Sequence, residues 1–91
     1  MAYLYVRHTV IDFNNWYRIF DSNKEDQEKH GLVEVQLFRD QKDQNDVIII
    51  FRVTDVEKAR EYIYAPEAEI ARDEAGVIGE PESFFLDKVE D

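Results

Sequence analysis

Polar and apolar positions alternate with a period of two from Tyr3 to Val10. Leu4, Val6, His8 and Val10 fall on one side of this run and Tyr3, Tyr5, Arg7 and Thr9 on the other, the signature of a β-strand with bulk on both faces. At Asp12, a side chain suited to capping a helix, the period changes. Phe13, Trp16, Tyr17 and Phe20 recur at helical spacing as one apolar stripe, and the segment after Asp21 turns polar, as a solvated helix end does. Gly31 is a natural stop. Alternation resumes over Leu32–Arg39, with Val33, Val35 and Leu37 expected on one face and Glu34, Gln36 and Phe38 on the other. Polar residues 40–46 read as a hairpin loop. Val47–Val53 is a continuous β-branched run, which reads as a strand buried on both faces. Thr54 or Asp55 caps a second helix with Val56, Ala59 and Ile63 inward. Pro66 predicts a kink or restart, continuing to about Ala75 with Ile70 inward. Residues 76–81 read as a loop and Ser83–Val89 as a last strand.

The order strand, helix, strand, strand, helix, strand predicts an α+β ferredoxin-like βαββαβ sandwich as one domain over residues 1–91. Its four-stranded antiparallel sheet would carry both helices on one face. The other face would stay apolar whichever way the strands are turned. An open apolar sheet of several hundred Å2 is unusual on a monomer, and burying it at about 25 cal/mol per Å2 is a strong drive to pair. The expected partner is a second copy, giving a homodimer through the sheet face, closed like a barrel. A hetero-partner or the carboxy-terminal segment covering that face is the alternative.

Charge narrows the function. The 91 residues carry 21 acidic and 11 basic side chains, a formal net charge of −10. Such a field repels phosphate backbones and anionic lipid, so neither nucleic acid nor membrane is an expected partner. With no cysteine, thiolate catalysis and thiolate metal sites are excluded. No secretory pattern and no bilayer-length apolar run is present, and a cytoplasmic location is expected.

The run Tyr5-Val6-Arg7-His8-Thr9-Val10, then Asp12-Phe13, Trp16 and Phe20-Asp21, resembles the start of small dimeric α/β-barrel proteins of the cyclase-like and antibiotic-biosynthesis-monooxygenase-like group. Val53-Thr54-Asp55, Glu57-Lys58-Ala59-Arg60 and the stretch from Ala75 to Glu82 with Phe85-Leu86 are similar to the same group. The resemblance implies the barrel dimer and a pocket in each subunit between sheet and helices. It does not single out an activity, because the group spans cofactor-free oxygenases, polyketide cyclases, isomerases and haem-degrading enzymes. Haem-degrading members use an Asn on the first strand, a Trp deep in the pocket and a His on the second helix. Here the first strand has no Asn, Trp16 is on the first helix and the second helix has no His. The Asn and Trp positions of quinol-type oxygenases are unmatched too.

His8 is the sharpest candidate for chemistry. An imidazole on the helix-facing side, near Trp16 or Phe20, suits a general acid or base near neutral pH; the alternative is a core histidine bonded to backbone or a tyrosine. Trp16, Phe20 and Tyr62 are expected in the wall of the implied pocket and Tyr64 at its mouth. His30 reads as a solvated helix-end residue. Arg7 and Arg52 interrupt apolar strands and need partners, for which Glu34 and Asp87 are candidates. They read as a salt-bridge network in the dimer lumen, or as an anion site there. Glu69 and Asp73 share a helix face but have no histidine nearby, so no metal site is expected. No phosphate loop or nucleophile elbow occurs, and no cofactor is expected. Two functions fit: a cofactor-independent cyclase- or monooxygenase-like enzyme acting on a hydrophobic or aromatic small molecule, with His8 as acid/base, or a non-catalytic dimer that binds a small ligand or a partner protein.

Overall fold

The computed structural model describes residues 1–90. Strands β1 (Ala2–Val10), β2 (Leu32–Arg39), β3 (Asp46–Val53) and β4 (Val77–Asp87) form one antiparallel sheet in the order β2-β3-β1-β4. Two broken helices cover one face: α1 (Phe13–Ser22) followed by α2 (Lys24–Lys29), and α3 (Val56–Ile63) followed by α4 (Pro66–Glu74). This is the expected α+β ferredoxin-like sandwich.

The register of β1 on β3, from Ala2 opposite Val53 to Thr9 opposite Asp46, aligns the two alternations. Leu4, His8 and Val10 then share a face with Val47, Ile49, Phe51 and Val53, and all of them are buried. Trp16 and Phe20 from α1, Ala59 from α3 and Ala75 after α4 close the core over them. Helices α1 and α3 start where their caps dictate. The Asp12 carboxylate accepts from the Asn14 amide at 3.0 Å, and that of Asp55 accepts from the Lys58 amide at 3.1 Å. Pro66 opens α4 at its first turn, with Ala65 held extended before it (φ −72°, ψ 149°), as the residue preceding a proline must be.

Three features depart from the simple alternation. A bulge at Val35 moves the register by one, so Glu34 is opposite Phe51 while Gln36 is opposite Ile50. Val33, Gln36 and Phe38 therefore share the open face, and Glu34 and Leu37 turn toward the helices. Residues 77–81 are strand rather than loop. Val77 and Ile78 pair with Val10 and Thr9 at the end of β1, beyond an irregularity in which β4 advances four residues, from Glu82 to Ile78, while β1 advances two, from Arg7 to Thr9. Pro81, which has no N–H to give to a ladder, falls in the stretch of the edge strand β4 that has no partner residue on β1. Finally, the inward residue of α4 is Ala68, and Ile70 is exposed.

Gly31, at the end of α2, has φ +85°, and a Cβ there would lie 2.8 Å from the Asp55 carbonyl oxygen. Its own carbonyl accepts the Thr54 amide at 2.9 Å, tying the helix end to the exit of β3. Gly79 also has positive φ (+71°), but a Cβ would meet nothing within 4 Å. Gly31→Ala should therefore lose about 2 kcal/mol or more from combined strain and clash, and Gly79→Ala about 1 kcal/mol from strain alone. Urea unfolding of the two variants side by side checks this order.

Candidate active site

The bulged register of β4 shapes the site. Facing His8, residues 79–81 take a detour instead of keeping step with β1. The imidazole is left with space on the helix side, and a cavity of about 180 Å3 opens there between sheet and helices. Its walls are largely apolar: Val6, Ile49 and Phe51 from the sheet, Trp16, Ile19 and Phe20 from α1, and Ile63, Ala68 and Ala71 from the second helical pair.

His8 is 8% exposed, and among the described residues neither ring nitrogen has a hydrogen-bond partner. The reading of a core histidine bonded to backbone or tyrosine is thus not what the structure shows. The ring meets Trp16 edge to face, with centroids 5.4 Å apart. Trp16 in turn stacks on Phe20 at 4.8 Å, and Phe20 leans on Phe51 at 6.2 Å. A buried neutral donor–acceptor pair without partners is costly in an apolar interior, and the charged form costs more. Burial, reinforced by the positive charge of Arg72 and opposed by Asp46, lowers the His8 pKa from 6.5 to about 4. The imidazole is neutral at pH 7, one nitrogen a donor and the other an acceptor.

Trp16, Phe20 and Tyr62, expected in the pocket wall, and Tyr64, expected at its mouth, all line this cavity together with His8. Tyr62 is fixed from outside. Its hydroxyl donates to Asp26 Oδ2 at 3.3 Å and its ring stacks on His30 at 4.5 Å. Burial, then the Asp26 charge, pushes the Tyr62 phenol up. His30 is itself anchored through Nδ1, 2.7 Å from the Asp26 carbonyl. Tyr64 is 75% exposed, at the rim.

The expected lumen network does not assemble within the chain. Arg7 binds Asp46, with Nε 3.1 Å from each carboxylate oxygen, and lies 3.5 Å from Asp40. This pairing raises the Arg7 pKa and holds the Asp46 carboxyl below its ordinary range. Arg52 shares the open face but lies opposite Tyr3, four positions along β1 from Arg7. Glu34 is carried to the helix-facing side by the Val35 bulge, where its carboxylate is 3.7 Å from Lys24 Nζ. Asp87 is opposite Ala2, at the helix-side end of β4.

Two cavity residues escaped the sequence reading. Gln27 is 8% exposed inside an otherwise charged helical turn. Its position seven residues after Phe20 and four after Asn23 continues the α1 stripe, a signal present in the sequence. Arg72 lies four residues after Ala68 and three before Ala75, on the inward side of α4, and reaches the cavity wall. Among the described residues there is no cluster of three or more His, Cys, Asp or Glu able to hold a metal ion, and no helix long and apolar enough to cross a membrane.

No protein-family model matches the chain, and no curated protein matches it in sequence. Among solved structures the likeness runs end to end, and it shows the ferredoxin-like fold of antibiotic biosynthesis monooxygenases. One such structure, of an antibiotic biosynthesis monooxygenase, has a TM-score of 0.66 at 14% identity, covering 99% of this chain and 100% of the other. SnoaB, a cofactor-independent oxygenase from Streptomyces nogalater, has a TM-score of 0.75 at 17% identity, covering 99% of this chain and 94% of its own. Rv0793 from Mycobacterium tuberculosis gives 0.66 at 9% identity, covering 99% and 96%.

The depressed His8 pKa fixes a pH dependence. Between pH 6.5 and about 4 the unfolded chain binds a proton at His8 that the folded chain does not. Stability from this residue is full above pH 6.5 and falls as pH drops through that window, by at most about 3 kcal/mol. His8→Phe should remove this component and be no less stable at pH 7, because it replaces unpaired buried nitrogens with carbon. Parallel urea titrations at pH 7, 5.5 and 4.5 test both statements; an unchanged pH slope in His8→Phe would sink them.

Proposed function

We propose that this chain is a cofactor-independent, monooxygenase- or cyclase-like enzyme that acts on a hydrophobic or aromatic small molecule held in the cavity beside His8. One observation carries the reading: a buried imidazole with both nitrogens free of partners among the described residues, at the wall of an apolar cavity. A core histidine kept for packing has no reason to forgo its hydrogen bonds. One kept for a ligand does. The likeness in fold to SnoaB agrees with this reading.

In the reaction the acceptor nitrogen of His8 takes a proton from an acidic C–H or O–H of the ring system. With the cavity empty, the imidazole is a weak base, its pKa being about 4. A substrate anion formed against it offsets the burial penalty by pairing with the imidazolium, so basicity rises as the proton moves. Trp16 holds the ring plane and the apolar walls exclude water, which strengthens that pairing. In the monooxygenase form, dioxygen takes four electrons from a ring CH2, one oxygen atom staying as the carbonyl that replaces its two hydrogens and the other leaving as water; in the cyclase form, the carbanion adds to a carbonyl carbon of the same molecule, the C=O π bond opens to an alkoxide, and the alkoxide takes back the proton held on His8. The weak basicity of the empty site also favours a second reading, a ligand-binding dimer without turnover.

The assay is oxygen uptake and product mass with a panel of hydroxylated aromatics. Wild type should turn over at least one, and His8→Phe should lose at least about 100-fold in kcat, the scale of general-base catalysis. Undiminished turnover in His8→Phe would reject His8 as the base. Binding across the panel with no turnover by wild type would leave the ligand-binding reading in its place.

We also propose that the working form is a homodimer closed through the open sheet face. Phe38 and Phe84 are 49% and 54% exposed there, beside Tyr5, Ile48 and Ile50. A carboxylate on such a face opposes pairing. Light scattering over a dilution series should give a dimer for wild type and a monomer for Phe84→Glu; a wild-type monomer refutes the assembly.

A further inference from the structure

The cavity also carries a charge that the proposed reaction leaves unused. Arg72 is half-buried, and among the described residues it makes no ion pair in a chain with a net charge of −10. Its hydrogen bond is from Nη1 to the Ile63 carbonyl at 3.3 Å, which leaves the rest of the guanidinium fork unassigned. Arg72 lines both the largely apolar cavity and an adjoining space of about 230 Å3 that is bordered by Glu69, Asp73 and Glu80, of which Glu80, like Arg72, also reaches the inner cavity. The guanidinium therefore stands at the junction between an apolar interior and an acidic exterior. A singly charged anion arriving there finds a planar, bidentate partner. A second negative charge farther out would face three carboxylates.

The inner volume limits the rest of the ligand. An apolar cavity of roughly 150 Å3 holds a single benzene ring. At about 180 Å3 the space behind Arg72 suits one or two fused rings, stacked along the Trp16 and Phe20 wall. Resting on the reading of this cavity as a ligand site, we infer that the ligand is a one- or two-ring aromatic monoacid, its carboxylate or phenolate on Arg72 and a neutral polar substituent at His8. Arg72 is thus a specificity residue, and His8 and Arg72 mark the two ends of the ligand.

The test uses 2-naphthoate, its neutral isostere 2-naphthamide and the three-ring anthracene-2-carboxylate. Affinity is measured by calorimetry, and the site is located by the indole N–H resonance of Trp16, the only tryptophan. In wild type, naphthoate should bind at least about tenfold tighter than the amide and the three-ring acid, and it should shift the Trp16 resonance. Arg72→Gln should bring naphthoate down to the level of the amide while leaving the amide unchanged, and Arg72→Lys should retain part of the preference. Equal binding of acid and amide by wild type, or undiminished naphthoate binding by both Arg72 variants, overturns the acid assignment while the cavity remains a ligand site. Three-ring binding equal to that of naphthoate overturns the size limit. If no compound shifts Trp16, the ligand-site reading fails and this inference falls with it.

Discussion

The pairing of β1 with β3 is the constraint on which everything else depends. Both strands carry bulky side chains on both faces, and their register decides which residues of each lie together under the helices. One step of slip would turn one strand over, bringing Arg7 into the core and carrying Leu4 out of it if β1 moved, or Arg52 in and Phe51 out if β3 did, an exchange no small domain could absorb. With the register fixed, His8 has one place to be, and Trp16 and Phe20 close over it because they are the inward stripe of the helix that follows.

Against this ordered frame the cavity is a local failure of packing, and it is produced by the backbone. Small domains fill their interiors densely. Here β4 leaves step with β1 at the position that faces His8, using a glycine with positive φ and a proline without a donor. The gap falls at His8, the titratable side chain of β1 and β3 that lies on the helix-facing side. An imidazole with no protein partners, a cation at the rim and an aromatic wall form one arrangement because a single strand irregularity gives them common space.

The elements themselves were legible because they rest on local periodicity and capping. The strand alternations, the Phe13/Trp16/Phe20 stripe, the Asp12 and Asp55 caps and the restart at Pro66 follow from neighbours a few residues apart. The assignment of His8 to the helix side, and of Trp16, Phe20, Tyr62 and Tyr64 to a shared pocket, followed from the same patterns combined with the resemblance in fold. What escaped depends on pairing across the sheet. Neither bulge has a local signature strong enough to announce it, and Glu34 was placed on the wrong face for that reason. Arg7 is legible as a charge needing a partner, but its partner, Asp46, lies 39 positions away in the polar segment whose composition reads as a hairpin loop. Gln27 was hidden by its charged neighbours although its spacing was correct.

The bulge at Val35 has a bearing on how this chain could vary in length. Because Val35 is the surplus residue, Leu32, Val33 and Glu34 before it and Gln36, Leu37 and Phe38 after it keep the faces they would have if it were absent. An edge strand has absorbed one residue without turning anything over. Loss of that residue is the indel this sheet is built to survive, whereas the same loss in β1 or β3 would invert the strand downstream of it. Comparing the melting temperature of a chain lacking Val35 with that of one lacking Ile50 would separate a length change the architecture tolerates from one it cannot.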